Sequence, residues 1–364
     1  MNSRPPKSPE DPLEIDPGWL EWHLREAGLL GDLSVQEVEA KPLGEAVGFL
    51  SRMARLEPRY SGDSKAAPSS LIIKLETNDP KLRGVADRLH AFRREIGFYR
   101  HMAPDAPTRL AKVYASGDTE GAAWLLFEDL ARLTPGDQVR GLSNRQVEMA
   151  LRHIGAVHAA SWQDPRLEHY DWLPAHDFFF QEDFEKTWPV FRENYALRIG
   201  REATALLERV LERQDLLEAK IAERPATLVH GDLRADNLLL GEEGSDEEVL
   251  ILDWQTATRS LAAIDVAQVV GGSEPPPERA GHTRGLFRAW HDTLRSHGVD
   301  SYSAEEALAD VRLSLLSCMR IPLLAFKSLG GPDFEGARPA QLADALALRH
   351  TSAALELGAG AVLP

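Results

Sequence analysis

The stretch LVHGDLRADNLLL at 228–240, followed by VLILDWQ at 249–255, sets oxygen-bearing side chains at two adjacent turns. An apolar run delivers His230-Gly231-Asp232 to a bend, Asn237 follows five residues after Asp232, and Asp253 closes the next apolar run. Phosphoryl transfer needs this set of types. One carboxylate must orient an attacking hydroxyl and accept its proton, while a second carboxylate and an amide oxygen hold magnesium against the phosphates of ATP. Magnesium favours hard oxygen ligands, which Asp and Asn supply. Each residue taken singly is also a turn former, and a plain β-hairpin would use the same types at its bends. Four of them at this spacing, flanked by apolar strands, favour the chemical reading.

Two further residues fit the same chemistry. Lys74 is a charge inside the apolar strand LIIKLE, and Glu95 lies on the following helix, in FRREIGFYR. A lysine on a buried strand can neutralise the α- and β-phosphates if a helix glutamate holds it. Alone, Lys74 reads as a strand-end lysine that snorkels to water, and Glu95 as a solvated helix acid. The order of strand lysine, helix glutamate and HGD turn favours the chemical reading of both. The turn PLGEAVGFLS, between the first two strands, carries Gly44 and Gly48, whose missing Cβ atoms would let backbone amides approach phosphate. It is no Walker motif, because no Gly-Lys-Ser/Thr follows.

The 228–267 segment resembles the catalytic loop of the aminoglycoside phosphotransferases and choline kinases and, more remotely, of the protein kinases. The DWQ triplet and the E-x-x-F/Y helix point to the ecdysteroid-kinase-like or bacterial phosphotransferase branch. The likeness spans about residues 35–350, with its specific motifs at 228–267. By position it implies Asp232 as catalytic base and Asn237 and Asp253 as magnesium ligands, with ATP as phosphate donor. It places Arg234 near the transferred phosphate and makes His230 a hydrogen-bonding residue of the loop. Asp236 would be a loop-stabilising acid, and Asp265 a buried structural aspartate opening a helix behind the loop. Adenine would lie against FEDL, read by main-chain groups around Glu128, Asp129 and Leu130. Relatives carry a Gly-Pro pair soon after DWQ where this chain reads TATRSLAAID, so the geometry of that turn is left open.

These residues need a scaffold, and 364 residues are too many for one ordinary core. Residues 1–16, rich in proline and charge, read as a disordered tail. Residues 17–130 read as a nucleotide-binding lobe: a helix bearing Trp19, Leu20, His23 and Leu24, then five strand-like runs and one helix around Val85–Met102. Residues 131–364 read as a mainly helical catalytic and substrate lobe, interrupted by a short β segment from Thr227 to Asp253. Ser143 or Asn144 would cap its first helix. The expected class is α+β, with the two-lobed protein-kinase-like fold of the resemblance, a small mixed β-sheet N-lobe and a mainly helical C-lobe.

Composition removes several alternatives. A formal charge of −16 argues against nucleic-acid binding. The single cysteine, Cys318, forbids an intrachain disulfide and reads as an inert buried thiol. The N-terminal residues lack the apolar core of a signal peptide, and no run is long enough to span a bilayer, so a cytoplasmic protein is expected. No G-x-S-x-G elbow, H-E-x-x-H pair or A-P-E segment is present. The acceptor implied is a hydroxyl of a small molecule, and the family's range runs from aminoglycosides to choline and hydroxylated steroids. Trp162, Trp172, Phe178, Phe179, Phe180 and Trp188 suit core packing better than ligand contact. The competing reading is a catalytically silent nucleotide-binding pseudokinase module, whose signature would be loss of the base, a metal ligand or the strand lysine. Oligomeric state is not legible.

Overall fold

The computed structural model describes residues 6–43, 50–62, 67–119, 122–175, 184–245, 247–329 and 337–364. Two compact units divide the chain. The first takes the described residues up to Asp105, then Leu110–Arg132 and Trp254–Thr256; the second takes Ala106–Arg109, Leu133–Asp253 and Ala257–Pro364.

In the first unit, helix α1 (Pro17–Glu26) starts where the Asp16 carboxylate accepts the Trp19 amide, with Pro17 preset for the first turn. Strands β1 (Val35–Pro42), β2 (Ser51–Tyr60), β3 (Leu71–Glu76), β4 (Val113–Gly117) and β5 (Trp124–Glu128) form a sheet in the order β1-β2-β3-β5-β4. Every pairing is antiparallel, where a mixed sheet was expected. The connections between β1 and β2, β2 and β3, and β4 and β5 are each shorter than the roughly dozen residues that a parallel crossover takes, so these neighbours pair antiparallel. Trp19, Leu20 and Leu24 of α1 share an apolar cluster with Leu56, Leu71, Ile73 and Trp124 of the sheet.

Two expectations change here. The helix around Val85–Met102 is two helices, α2 (Pro80–Leu89) and α3 (Ala91–His101), separated by His90 at φ 48°. A left-handed residue cannot continue a right-handed helix. The segment expected as a disordered tail makes contacts from Ser8 onward. Ser8 Oγ accepts from Trp124 Nε1, the Glu10 carbonyl accepts from Arg52, and Ile15 joins the apolar cluster. A burial pattern of one apolar residue among prolines and charges carries too little periodicity to be read from sequence.

In the second unit, β6 (Thr134–Pro135) leads to α4 (Asn144–Ala160), which opens on a capping box between Ser143 and Gln146. Helices α5 (Thr187–Ile199), α6 (Arg201–Glu212) and α7 (Gln214–Ala222) precede β7 (Ala226–Val229), β8 (Leu238–Leu240), β9 (Val249–Ile251) and β10 (Thr258–Leu261). The strands make a β6-β8-β9 sheet and a β7-β10 ribbon. Strand β10 occupies the TATRSL segment that departs from the family pattern; four residues show no legible alternation until β7 pairs with them. Helices α8 (Ala263–Ser273), α9 (Pro276–Arg279), α10 (Thr283–Ser296), α11 (Ala304–Cys318), α12 (Ile321–Ser328) and α13 (Ala337–Glu356) complete the unit. All of α8 is buried, and α4, α10, α11 and α13 pack around it. The α+β organisation therefore holds, with a small sheet in one unit and helices dominating the other.

Candidate active site

In the first unit, β3 places Lys74 opposite Met53 of β2 and Leu125 of β5, in a strand buried at every position but its last. An ammonium there must be paired, because desolvating an isolated charge costs several kcal/mol. Glu95 of α3 supplies the pair: its Oε2 lies 2.7 Å from Lys74 Nζ, with the two side chains 6% and 1% exposed. The Phe92 ring, 5.9 Å from Nζ, adds a favourable π face. The lysine and glutamate expected from sequence are thus together, and the snorkelling reading fails. One helical turn beyond Glu95, Phe98 stacks on Trp254 with centroids 3.7 Å apart and planes 8° from parallel.

Around the expected adenine edge, the Glu128 amide donates to the Lys112 carbonyl at 2.9 Å, and its carboxylate accepts the Lys112 amide at 2.7 Å. Asp129 holds Arg55 at 2.6 Å. Burial works against the Asp129 charge, but Arg55 and Ser70 hold its carboxyl below the usual range. Leu130 is buried. With the Glu128 amide engaged by the Lys112 carbonyl, a main-chain reading of a base here falls to the other main-chain groups of this segment. Gly44 and Gly48 lie outside the described residues, as do Phe178, Phe179 and Phe180.

In the second unit, β7 ends at Val229 and the chain bends through Gly231 at φ 81°. That bend exposes three amides in the interior, and α8 receives them. Asp265 accepts from the His230 amide at 2.7 Å and the Gly231 amide at 2.9 Å. Gln268, one turn later, accepts the Leu233 amide at 2.9 Å and donates to the Gly231 carbonyl at 2.6 Å. Asp265 also accepts a hydrogen bond from His158 Nε2 at 3.0 Å. Trp290 Nε1 donates to His158 Nδ1 at 3.1 Å, which fixes the imidazole tautomer, since the indole nitrogen is only a donor. The structural role expected of Asp265 is what the geometry shows. Gln268 was missed, although a second polar residue three positions on in the apolar helix AAIDVAQVV was its signal.

His230 ties the two turns together. Its Nε2 donates to the Leu252 carbonyl at 2.8 Å and its Nδ1 accepts the Asp232 amide at 3.2 Å. The Leu252 amide in turn donates to the Asn237 carbonyl at 2.9 Å. Asp232 and Asn237 are thereby linked to the residue just before Asp253. Asn237 Nδ2 donates to the Asp232 carbonyl at 2.8 Å and to Asp232 Oδ2 at 3.0 Å. Arg234 Nε reaches the same Oδ2 at 3.0 Å, and its Nη1 reaches Asp236 Oδ2 at 2.6 Å. Burial opposes the Arg234 charge, but the carboxylates of Asp232, Asp236 and Asp253 outweigh it and raise its pKa. Asp232 keeps 35% of its side chain exposed. Among the described residues, no hydrogen bond reaches its Oδ1.

Asp253 stands at φ 64°. A non-glycine residue in the left-handed region costs on the order of 1–3 kcal/mol, which Asp tolerates better than most, and such strain gathers at functional sites. The expected metal set is one carboxylate, Asp253, and one amide, Asn237. That suits magnesium, which takes one or two carboxylates and completes its shell with water and substrate phosphate. Both described contacts of the Asn237 amide nitrogen go to Asp232, so its oxygen, the atom a cation would meet, belongs to the other branch of the amide. Among the described residues, no group of three or more His, Cys, Asp or Glu could hold a metal. Cys318 is buried, and burial pushes its thiol pKa up, as an inert thiol requires.

Of the remaining aromatics, Trp162, against Tyr302, and Trp188, against Phe191, are half-buried. Trp172 is 5% exposed. No helix among the described residues is long and apolar enough to cross a membrane.

Known structures share this architecture. A candidate aminoglycoside phosphotransferase from Ralstonia eutropha JMP134 superposes with a TM-score of 0.56 at 16% identity, over 96% of this chain and 99% of that one. A microcompartment-associated aminopropanol kinase gives 0.51 at 17% identity over the same shares. Likenesses at such identity establish the protein-kinase-like fold. No curated protein matches the sequence significantly. The family comparison reaches further, because it covers residues 45–299, well over half of the length, and on that match the chain belongs to the ecdysteroid kinase-like family.

Proposed function

We propose that the protein is an ATP- and magnesium-dependent phosphotransferase that moves the γ-phosphate to a hydroxyl of a small molecule. The observation that carries this reading is the state of Asp232. One of its oxygens is held by Asn237 and Arg234, the other has no described hydrogen-bond partner, and a third of the side chain is open. A carboxylate so oriented can accept a hydroxyl proton as the oxygen attacks phosphorus and the bond to the β-phosphate oxygen breaks, releasing ADP. Arg234, kept charged by three carboxylates, suits the negative charge of a transferring phosphoryl group. Lys74, pinned by Glu95, is assigned to the α- and β-phosphates. Asn237 and Asp253 would hold magnesium, which when bound neutralises phosphate charge. Gly44, Gly48, Glu128 and Leu130 stay assigned to the nucleotide.

The test is ADP release from purified protein with magnesium-ATP, with and without a library of small alcohols. Acceptor-dependent release is expected, falling about 10²–10⁴-fold in Asp232→Asn, the range of general-base catalysis. Wild-type protein that binds ATP yet releases no ADP with any acceptor would favour the silent-module reading. An Asp232→Asn variant as active as wild type would remove Asp232 as base.

A further inference from the structure

The 230–237 loop has a support that neither its own strands nor α8's Asp265 and Gln268 provide. Directly after β6, Gly136-Asp137-Gln138 runs alongside it. The Gly136 amide donates to the Leu238 carbonyl at 2.9 Å, and the Gln138 amide to Asp236 Oδ1 at 2.8 Å. A Cβ on residue 136 would stand 2.2 Å from the Ala235 carbonyl oxygen, so the two backbones approach at a distance only glycine permits. The Gln138 side chain completes the contact. It is 1% exposed, and its Oε1 accepts the Ala235 amide at 2.7 Å and the Ser273 hydroxyl at 3.1 Å. Its Nε2 donates to the Gly272 carbonyl at 2.6 Å.

This glutamine is itself braced. Arg349 of α13, 5% exposed, donates to the Gln138 carbonyl at 2.6 Å, to Val139 at 2.8 Å and to Gly272 at 3.2 Å. A buried strut thus runs from the C-terminal helix through Gln138 to Ala235. That amide lies in sequence between Asp232 and Asn237, the two residues whose side chains share a hydrogen bond.

We propose that Gln138 is a positioning residue that sets the spacing of Asp232 and Asn237 by holding the Ala235 amide, a role resting on the phosphotransfer reading above. An amide side chain suits the place. One amide group must accept from Ala235 and donate to Gly272 at once, which neither a carboxylate nor an apolar side chain does. Small displacements of reacting groups cost up to about 100-fold in rate, so a loosened loop is expected to show in turnover more than in nucleotide affinity.

The test is Gln138→Met, which keeps volume and removes all three hydrogen bonds of the side chain. Two measurements are made: amide hydrogen exchange of peptides covering 230–240 and, as control, 283–296; and magnesium-ATP hydrolysis with water as acceptor. Exchange over 230–240 should speed at least tenfold with the control unchanged, and kcat should fall at least tenfold with the KM for magnesium-ATP within twofold. Unchanged exchange, equal acceleration of both peptides, or full turnover despite faster exchange would overturn the proposal. Should the methionine variant fail to fold, Ser273→Ala removes the second acceptor of the same amide, at 3.0 Å, and should move both readouts the same way by less. Exchange needs no turnover, so it decides alone if the wild type hydrolyses nothing without an acceptor; the phosphotransfer reading is judged separately, by acceptor-dependent ADP release.

Discussion

Glu95→Leu is the most informative substitution in the first unit. It leaves the Lys74 ammonium in a strand where its side chain is 6% exposed, with a hydrocarbon where Oε2 stood 2.7 Å away. Breaking a buried pair from one side costs about 3–5 kcal/mol, because the surviving charge stays desolvated. Replacing both partners by apolar groups of similar volume is roughly neutral or stabilising. Lys74→Met combined with Glu95→Leu should therefore restore most of what the single change removes. For a unit of this size each kcal/mol moves the melting temperature by about 3–5 °C, so the single variant should melt on the order of 10–20 °C lower. Scanning calorimetry of the whole chain reads this. Two compact units need not unfold together, so the comparison is made on whichever transition moves. The double variant should regain stability and still fail to turn over magnesium-ATP, since the charge proposed to meet the phosphates is gone. Two results refute the reasoning: a single variant that melts within about 2 °C of wild type, as an exposed glutamate would give, or a double variant no more stable than the single.

Asp253→Asn keeps a side chain tolerant of φ 64° and removes the carboxylate proposed to hold magnesium; its melting temperature should hold within a few degrees while magnesium-ATP turnover disappears, and retained turnover would refute a metal role for Asp253. His350, 2% exposed, has its pKa pushed down to about 3 by burial and by the cations of Arg279 and Arg349. Because the unfolded chain takes up this proton near pH 6.5 and the fold refuses it until about pH 3, stability is full above 6.5 and lost as pH falls, by up to about 1.4 kcal/mol per unit. A stability-against-pH curve for His350→Gln should be flatter than wild type between pH 6.5 and 4.

Much of the site was legible because its chemistry is local. His230, Asp232, Asn237 and Asp253 fall within one short stretch, and their types and spacing carry the reading before any fold is known. The strand lysine was legible because a charge between Ile73 and Leu75 breaks an apolar run and therefore demands a partner. The order of strands and helices, and with it the α+β class, followed from hydrophobic period in the same way.

What stayed hidden depends on partners far along the chain. His90 ends α2 by its backbone angle, which a histidine between two helical patterns does not announce. Strand β10 exists because β7 pairs with it, and four residues alone hold no such information. Gln138 is an ordinary turn residue in PGDQV until the fold brings Ala235, Gly272 and Arg349 to its amide and carbonyl. Residue type and short-range spacing specify which atoms can do the chemistry; which buried groups hold those atoms still is a matter of hydrogen bonds closed across 97 to 211 residues, and only the folded chain decides them.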